Sequence, residues 1–165
     1  MMTALTARVI GPADGKQVAL GAIGARFVID GEASGGGFSL VEHPMSPRAL
    51  GAPLHRHTRE DEYSYVLEGR VGVQLGDQVV VGEPGDLIVK PRGQWHAFWN
   101  AGDEPARVLE IISPGGFERY FERASELFAA GGPPDPAALE ALAAEYGLDF
   151  DLASIPRLMQ AHGLG

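Results

Sequence analysis

The chain has 165 residues, 45% hydrophobic and 21% charged, which is the composition of a soluble globular protein with room for one well-buried core. Its 22 acidic residues against 13 basic ones give a formal charge of −9, a field that repels phosphate backbones and anionic membranes, so neither nucleic acid nor a membrane is an expected partner. Cysteine is absent, which excludes disulfides, thiolate catalysis and zinc–thiolate sites and leaves nitrogen and oxygen to hold any metal.

The opening MMTALTARVIGPADG lacks the basic start and apolar stretch of a signal peptide, and nowhere do about 18 apolar residues run together. A cytoplasmic protein is therefore expected. Arginine outnumbers lysine 11 to 2, and alanine and glycine are abundant, which points to a GC-rich bacterial source.

From about Arg8 to Ile112, short β-branched or aromatic runs alternate with glycine, proline and aspartate. RFVID (26–30), GFSLVE (37–42), EYSYVLEG (62–69), RVGVQLG (70–76), QVVVGE (78–83), DLIVK (86–90), HAFWN (96–100) and RVLEIIS (107–113) each read as a strand. Strands this short at this spacing predict an antiparallel sandwich or barrel. LEGRVGVQLGDQVVVGEPGD reads as a meander, with Gly69 and the Gly76-Asp77 pair as its turns.

The character changes after Pro114. In FERYFERASELFAAG, residues Phe117, Tyr120, Phe121, Ala124 and Phe128 lie along one helical face. Asp135 offers an N-cap before Pro136, opening a second helix that runs to Gly147, and a third covers Ile155–His162. The expected organisation is an all-β barrel over residues 1–115 with a C-terminal α-helical extension over 116–165, its apolar faces closing the barrel mouth or serving a homodimer.

The chemistry gathers in two stretches. In HRHTREDEYSYVLEG (55–69), His55 and His57 are i and i+2 on a strand and present two imidazoles to one face. The polar Thr58–Asp61 segment can turn the chain and bring Glu62 alongside, with Ser64 and Val66 on the same face and Tyr63, Tyr65 and Leu67 on the other. Glu60 is the rival carboxylate; the Glu60-Asp61 pair also reads as a solvated turn. In GDLIVKPRGQWHAFWN (85–100), His96 opens a strand with Phe98 on its face, and Asn100 can close the following turn through its side chain. His43 before Pro44 reads as a loop residue and His162 as part of the last helix, each structural or exposed. Trp95, Trp99, Tyr63 and Tyr65 fall on the opposite parity, as core or subunit contacts.

These two stretches resemble the two motifs of the cupins. His55, His57, Glu62 and Gly69 match H-x-H-x4-E-x6-G, and Gly85, Pro91, Gly93, His96 and Asn100 match G-x5-P-x-G-x2-H-x3-N. One departure is Ala49, where the first motif usually carries a glycine, although Gly51 is near. The resemblance implies a double-stranded β-helix (jelly-roll) barrel holding one divalent transition metal ion through His55, His57, Glu62 and His96. Nickel, manganese, iron, cobalt, copper and zinc all suit such donors. Metal affinity is expected to fall as pH drops through about 6.5, where the imidazoles protonate.

Within the cupins the similarity is to single-barrel, quercetinase-like dioxygenases, cued by PLHRHTREDEYSYVLEG and by GGFERYFE after the last strand. It implies an enolisable substrate such as a flavonol or β-diketone, cleaved with O2, with Glu62 as both ligand and general base. Phe38, Leu40 and Phe98 are candidates for an aromatic substrate pocket, or else barrel filling. The alternatives are a metal-dependent isomerase or decarboxylase of a sugar or small acid, and a non-catalytic small-molecule-binding module.

Overall fold

The computed structural model describes residues 7–165, so the reading of the N-terminal residues as lacking a signal peptide lies partly outside the described chain. Two antiparallel sheets face each other. The first runs in the order β1 (Gln17–Leu20), β2 (Ile23–Ile29), β3 (Ser39–Met45), β10 (Ala106–Ser113), β5 (Asp61–Glu68), β8 (Leu87–Lys90). The second runs β11 (Leu148–Asp151), β4 (Leu50–His57), β9 (His96–Asn100), β6 (Val71–Leu75), β7 (Gln78–Gly82). The result is the expected double-stranded β-helix barrel, followed by α1 (Glu118–Ala129), α2 (Pro136–Glu145) and α3 (Ser154–His162). No helix among the described residues is long and apolar enough to cross a membrane.

Strand alternation builds the interior. Along β10, Ala106, Val108, Glu110 and Ile112 are buried while their neighbours are half-buried. Val66, Val71, Val73 and Val108 fill one end of the barrel around Phe98. At the other end, Val41 and Ile112 meet Phe117, Tyr120 and Ala124 from the start of the extension. Each such fully buried aliphatic side chain contributes about 1.5–3 kcal/mol. The helical face anticipated from Phe117, Tyr120 and Ala124 thus packs onto the barrel, with α1 against β1 and α2 against β11.

Three local readings are corrected. The meander is a hairpin only in its second half: β6 and β7 pair around Gly76-Asp77, but β5 and β6 belong to different sheets. The chain crosses between sheets at Gly69, whose φ of +74° and position against Ala106, 2.7 Å from where a Cβ would sit, require glycine. Next, the strand expected to end at residue 42 continues through His43 and Pro44 to Met45, because its partner β10 holds register the whole way, with Arg107 opposite Pro44. Lastly, the extension is not purely helical. LDFD (148–151) forms β11 and pairs with β4, setting Phe150 opposite His55 and Leu148 opposite His57. That strand covers the edge of the histidine-bearing strand, so the sheets end on β1 and β8 and on β11 and β7; on β7 and β8, Val79, Val80, Val81, Leu87 and Val89 are exposed.

Candidate metal centre and its cavity

β4 and β9 are neighbours in one sheet, and their register sets His55 directly opposite His96. Glu62 comes from β5 in the facing sheet, so the four residues converge across the barrel interior. All four are buried, and one donor atom from each lies within 4.8 Å of every other. The rings crowd accordingly, with His55 and His96 centroids 4.2 Å apart and His55 and His57 5.2 Å apart. Glu62 Oε2 stands 3.0 Å from His96 Nε2 and 3.4 Å from His57 Nε2.

The outer nitrogens orient the rings. His55 Nδ1 lies 2.8 Å from the Pro53 carbonyl and His96 Nδ1 3.1 Å from that of Gln94, which puts the proton on Nδ1 and frees each Nε2 as a donor. His57 Nδ1 faces Glu60 Oε2 at 3.5 Å, and neither atom has another partner among the described residues. Glu60 is therefore buried behind His57 rather than solvated in a turn. Burial, then the neighbouring His96 and His57, hold His55 well below the usual imidazole range, so it is neutral at pH 7. Burial opposes ionisation of Glu62, but His57, Lys90 and His96 override it and hold the carboxyl well below its usual range. A carboxylate and three imidazoles with inward Nε2 atoms fit a divalent transition metal ion.

Lys90 is a residue the sequence reading passed over. It is 1% exposed, directly opposite Glu62 in the β5–β8 register, with Nζ 3.2 Å from Glu62 Oε2 and 2.8 Å from Glu110 Oε1. Burial would strip its proton, but Glu110 and Glu62 hold its ionisation above the usual range. Glu110 Oε1 also accepts from Ser64 Oγ at 2.5 Å. The available signal was parity: in LIVK, Lys90 shares the inward face with Ile88.

The cluster opens on a cavity of about 110 Å³, lined by His55, His57 and Glu62 on one side and by Phe98, Phe117 and Phe121 among its aromatic walls. Phe117 meets the His57 ring edge-on at 4.4 Å. Of the three expected pocket residues, Phe98 lines this space, whereas Phe38 and Leu40 do not. On β3 the inward positions are Ser39, Val41 and His43, which turns Leu40 to the other face and leaves Phe38 exposed before the strand. His43, read as a loop residue, is instead 1% exposed and lines the cavity, edge-on to Phe121 at 4.9 Å. His162 stacks on Trp99 at 4.0 Å, outside the cavity. Asn100 behaves as anticipated, donating to the Ser46 and Glu104 carbonyls and accepting from Gly102 N–H. Gly51, near the Ala49 departure, packs so closely that a Cβ would fall 2.3 Å from the Phe98 ring.

Comparison with known proteins agrees with this geometry. Residues 42–112 match the family described as the cupin domain. The chain is 38% identical over 60 residues to the tetracenomycin polyketide synthase protein TcmJ of Streptomyces glaucescens, spanning 36% of this chain and 40% of that protein. It is 35% identical over 60 residues to the polyketide synthase CurC of Streptomyces cyaneus, spanning 36% of this chain and 39% of CurC. The chain thus spans about two fifths of the length of these curated relatives. Among solved structures, KdgF from Halomonas sp. superposes with a TM-score of 0.60 at 22% identity, covering 69% of this chain and 99% of KdgF, a likeness of fold.

Proposed function

We propose, from the premise that residues 42–112 form a cupin domain, that this chain is a metal-dependent dioxygenase of an enolisable aromatic small molecule, of flavonol, β-diketone or polyketide type. The observation that carries the reading is a cavity lined both by His55, His57 and Glu62 and by the rings of Phe98, Phe117 and Phe121. Such a lining suits a flat apolar substrate and leaves a sugar's hydroxyls largely unpaired.

His55, His57, Glu62 and His96 would hold the ion, which supplies Lewis-acid polarisation of an enol or carbonyl oxygen when bound. Glu62, kept ionised beside the Lys90 ammonium, takes the proton from the enol oxygen or the adjacent carbon. Lys90 steadies the carboxylate through its 3.2 Å contact with Oε2. Phe98, Phe117 and Phe121 pack on the ring and keep water from the carbanion. Dioxygen then adds to that carbon, and both its atoms enter the product as a C–C bond breaks.

A second reading, isomerisation or cyclisation without O2, is favoured by the likeness to two polyketide synthase proteins and uses the same proton abstraction. The experiment is conversion of quercetin and of a β-diketone by protein of known metal content, in air and under argon. Oxygen uptake matching substrate loss, abolished in Glu62→Gln, is the expected result. Conversion unaffected by argon supports the second reading. Tight binding without conversion by any metal form refutes both and leaves a binding module.

A further inference from the structure

Beyond the metal cluster the cavity holds a second polar corner that the proton abstraction does not use. Glu110 is 2% exposed and lines the cavity. Its Oε1 is saturated by Ser64 and Lys90, while its Oε2 is buried with no partner among the described residues. An unpaired buried carboxylate oxygen carries the full cost of its lost hydration unless a ligand donates to it. His43 sits close by on the adjacent strand: Val108 is opposite His43 and Glu110 opposite Val41, so the two inward side chains are diagonal neighbours. His43 Nδ1 is 2.8 Å from the Gly24 carbonyl, which fixes the proton there and leaves the Nε2 lone pair to accept a hydrogen bond.

We propose that Glu110 and His43 form a second subsite in this cavity, one that accepts the hydrogen of a ring hydroxyl and so selects hydroxylated arenes. The inference rests on the proposed aromatic substrate and sharpens it. Both groups accept and neither donates, so the complementary ligand group is an O–H rather than a carbonyl. Burial holds the His43 imidazole below its usual range, which keeps it neutral and accepting. Lys90 sets the spacing, since it touches Glu62 on one side and Glu110 on the other. The hydroxyl therefore belongs within a ring's width of the oxygen that faces the cluster, beside Phe98, whose ring lies 5.2 Å from Lys90 Nζ. A selective site of this kind rejects the analogue lacking the hydroxyl, because its acceptor is then left dry and unpaired.

Phenol and toluene test this directly, being nearly the same size, so that in the cavity they differ only by the hydroxyl. In a merely apolar cavity toluene binds more tightly, since the phenol hydroxyl would leave water unpaired. Titration calorimetry on the metal-loaded full chain is expected to show phenol binding at least as tightly as toluene. His43→Phe, which keeps a ring against Phe98 and Phe121, and Glu110→Gln, which keeps shape but loses charge, should each move the ratio about tenfold toward toluene. If one variant fails to fold, the other decides. His96→Ala, which disables the metal cluster, should leave the phenol preference in place. A preference that vanishes in His96→Ala and survives in His43→Phe puts the hydroxyl at the metal cluster; it overturns the subsite and leaves the proposed function standing. Toluene preferred by the unaltered protein likewise overturns the subsite alone. Binding of neither compound overturns the subsite together with the aromatic-substrate reading.

Discussion

Replacing Lys90 with methionine removes the one cation that Glu110 touches among the described residues. Glu62 would retain His57 and His96, at 3.4 and 3.0 Å, while Glu110 would keep only the Ser64 hydroxyl on Oε1 and nothing on Oε2. Breaking a buried ion pair from one side typically costs about 3–5 kcal/mol, because the surviving charge stays desolvated. For a chain of this size that corresponds to a fall in Tm of roughly 6–20 °C. The second substitution discriminates: Lys90→Met with Glu110→Gln removes the stranded charge, so the double variant should be more stable than Lys90→Met alone by about half the loss or more. Urea unfolding followed by tryptophan fluorescence gives both values, with Trp99 buried against Leu158 as reporter. A Lys90→Met cost below about 1 kcal/mol, or a double variant no better than the single, would falsify the view that Lys90 neutralises the barrel interior.

Glu60→Gln should weaken metal binding about 10–100-fold, measured by competition with a chelator, because it removes the carboxylate facing His57 Nδ1. Unchanged affinity would assign Glu60 no part in orienting that ring. Gly51→Ala would drive a methyl into the Phe98 ring, costing about 1–3 kcal/mol in unfolding free energy and shrinking the cavity. An unaltered melting curve would mean the ring yields freely. For pH, His43 has a folded-state pKa below its unfolded value near 6.5, so the unfolded chain binds the extra proton. Its contribution is complete above about pH 6.5 and is lost as pH falls, by up to about 1.4 kcal/mol per unit. The urea midpoint of His43→Phe should therefore decline less between pH 7.5 and 5.5 than that of the unaltered protein, and equal declines would refute the assignment.

What the linear sequence determined was whatever depends on neighbours along the chain. Parity on a strand is local, so the shared face of His55 and His57, and that of His96 and Phe98, could be read directly. The N-cap at Asp135 and the apolar stripe from Phe117 to Ala124 depend on spacings of a few residues, and both are in the structure. Tertiary structure decided everything that needed a partner from far away. Whether His43 was loop or cavity wall turned on β10 holding register past Pro44. The chain reversed or crossed at Gly69 according to what lay behind it, and Ala106 leaves no room for a side chain. LDFD became a strand because the edge of β4 needed a partner, a demand invisible from residues 148–151 themselves. Lys90 and Glu110, separated by 20 residues, each look misplaced on an inward face until the other supplies the opposite charge. The His55–His57–Glu62–His96 cluster was legible because short motifs carry it, whereas the cavity beside it exists only once two sheets and the extension close around it.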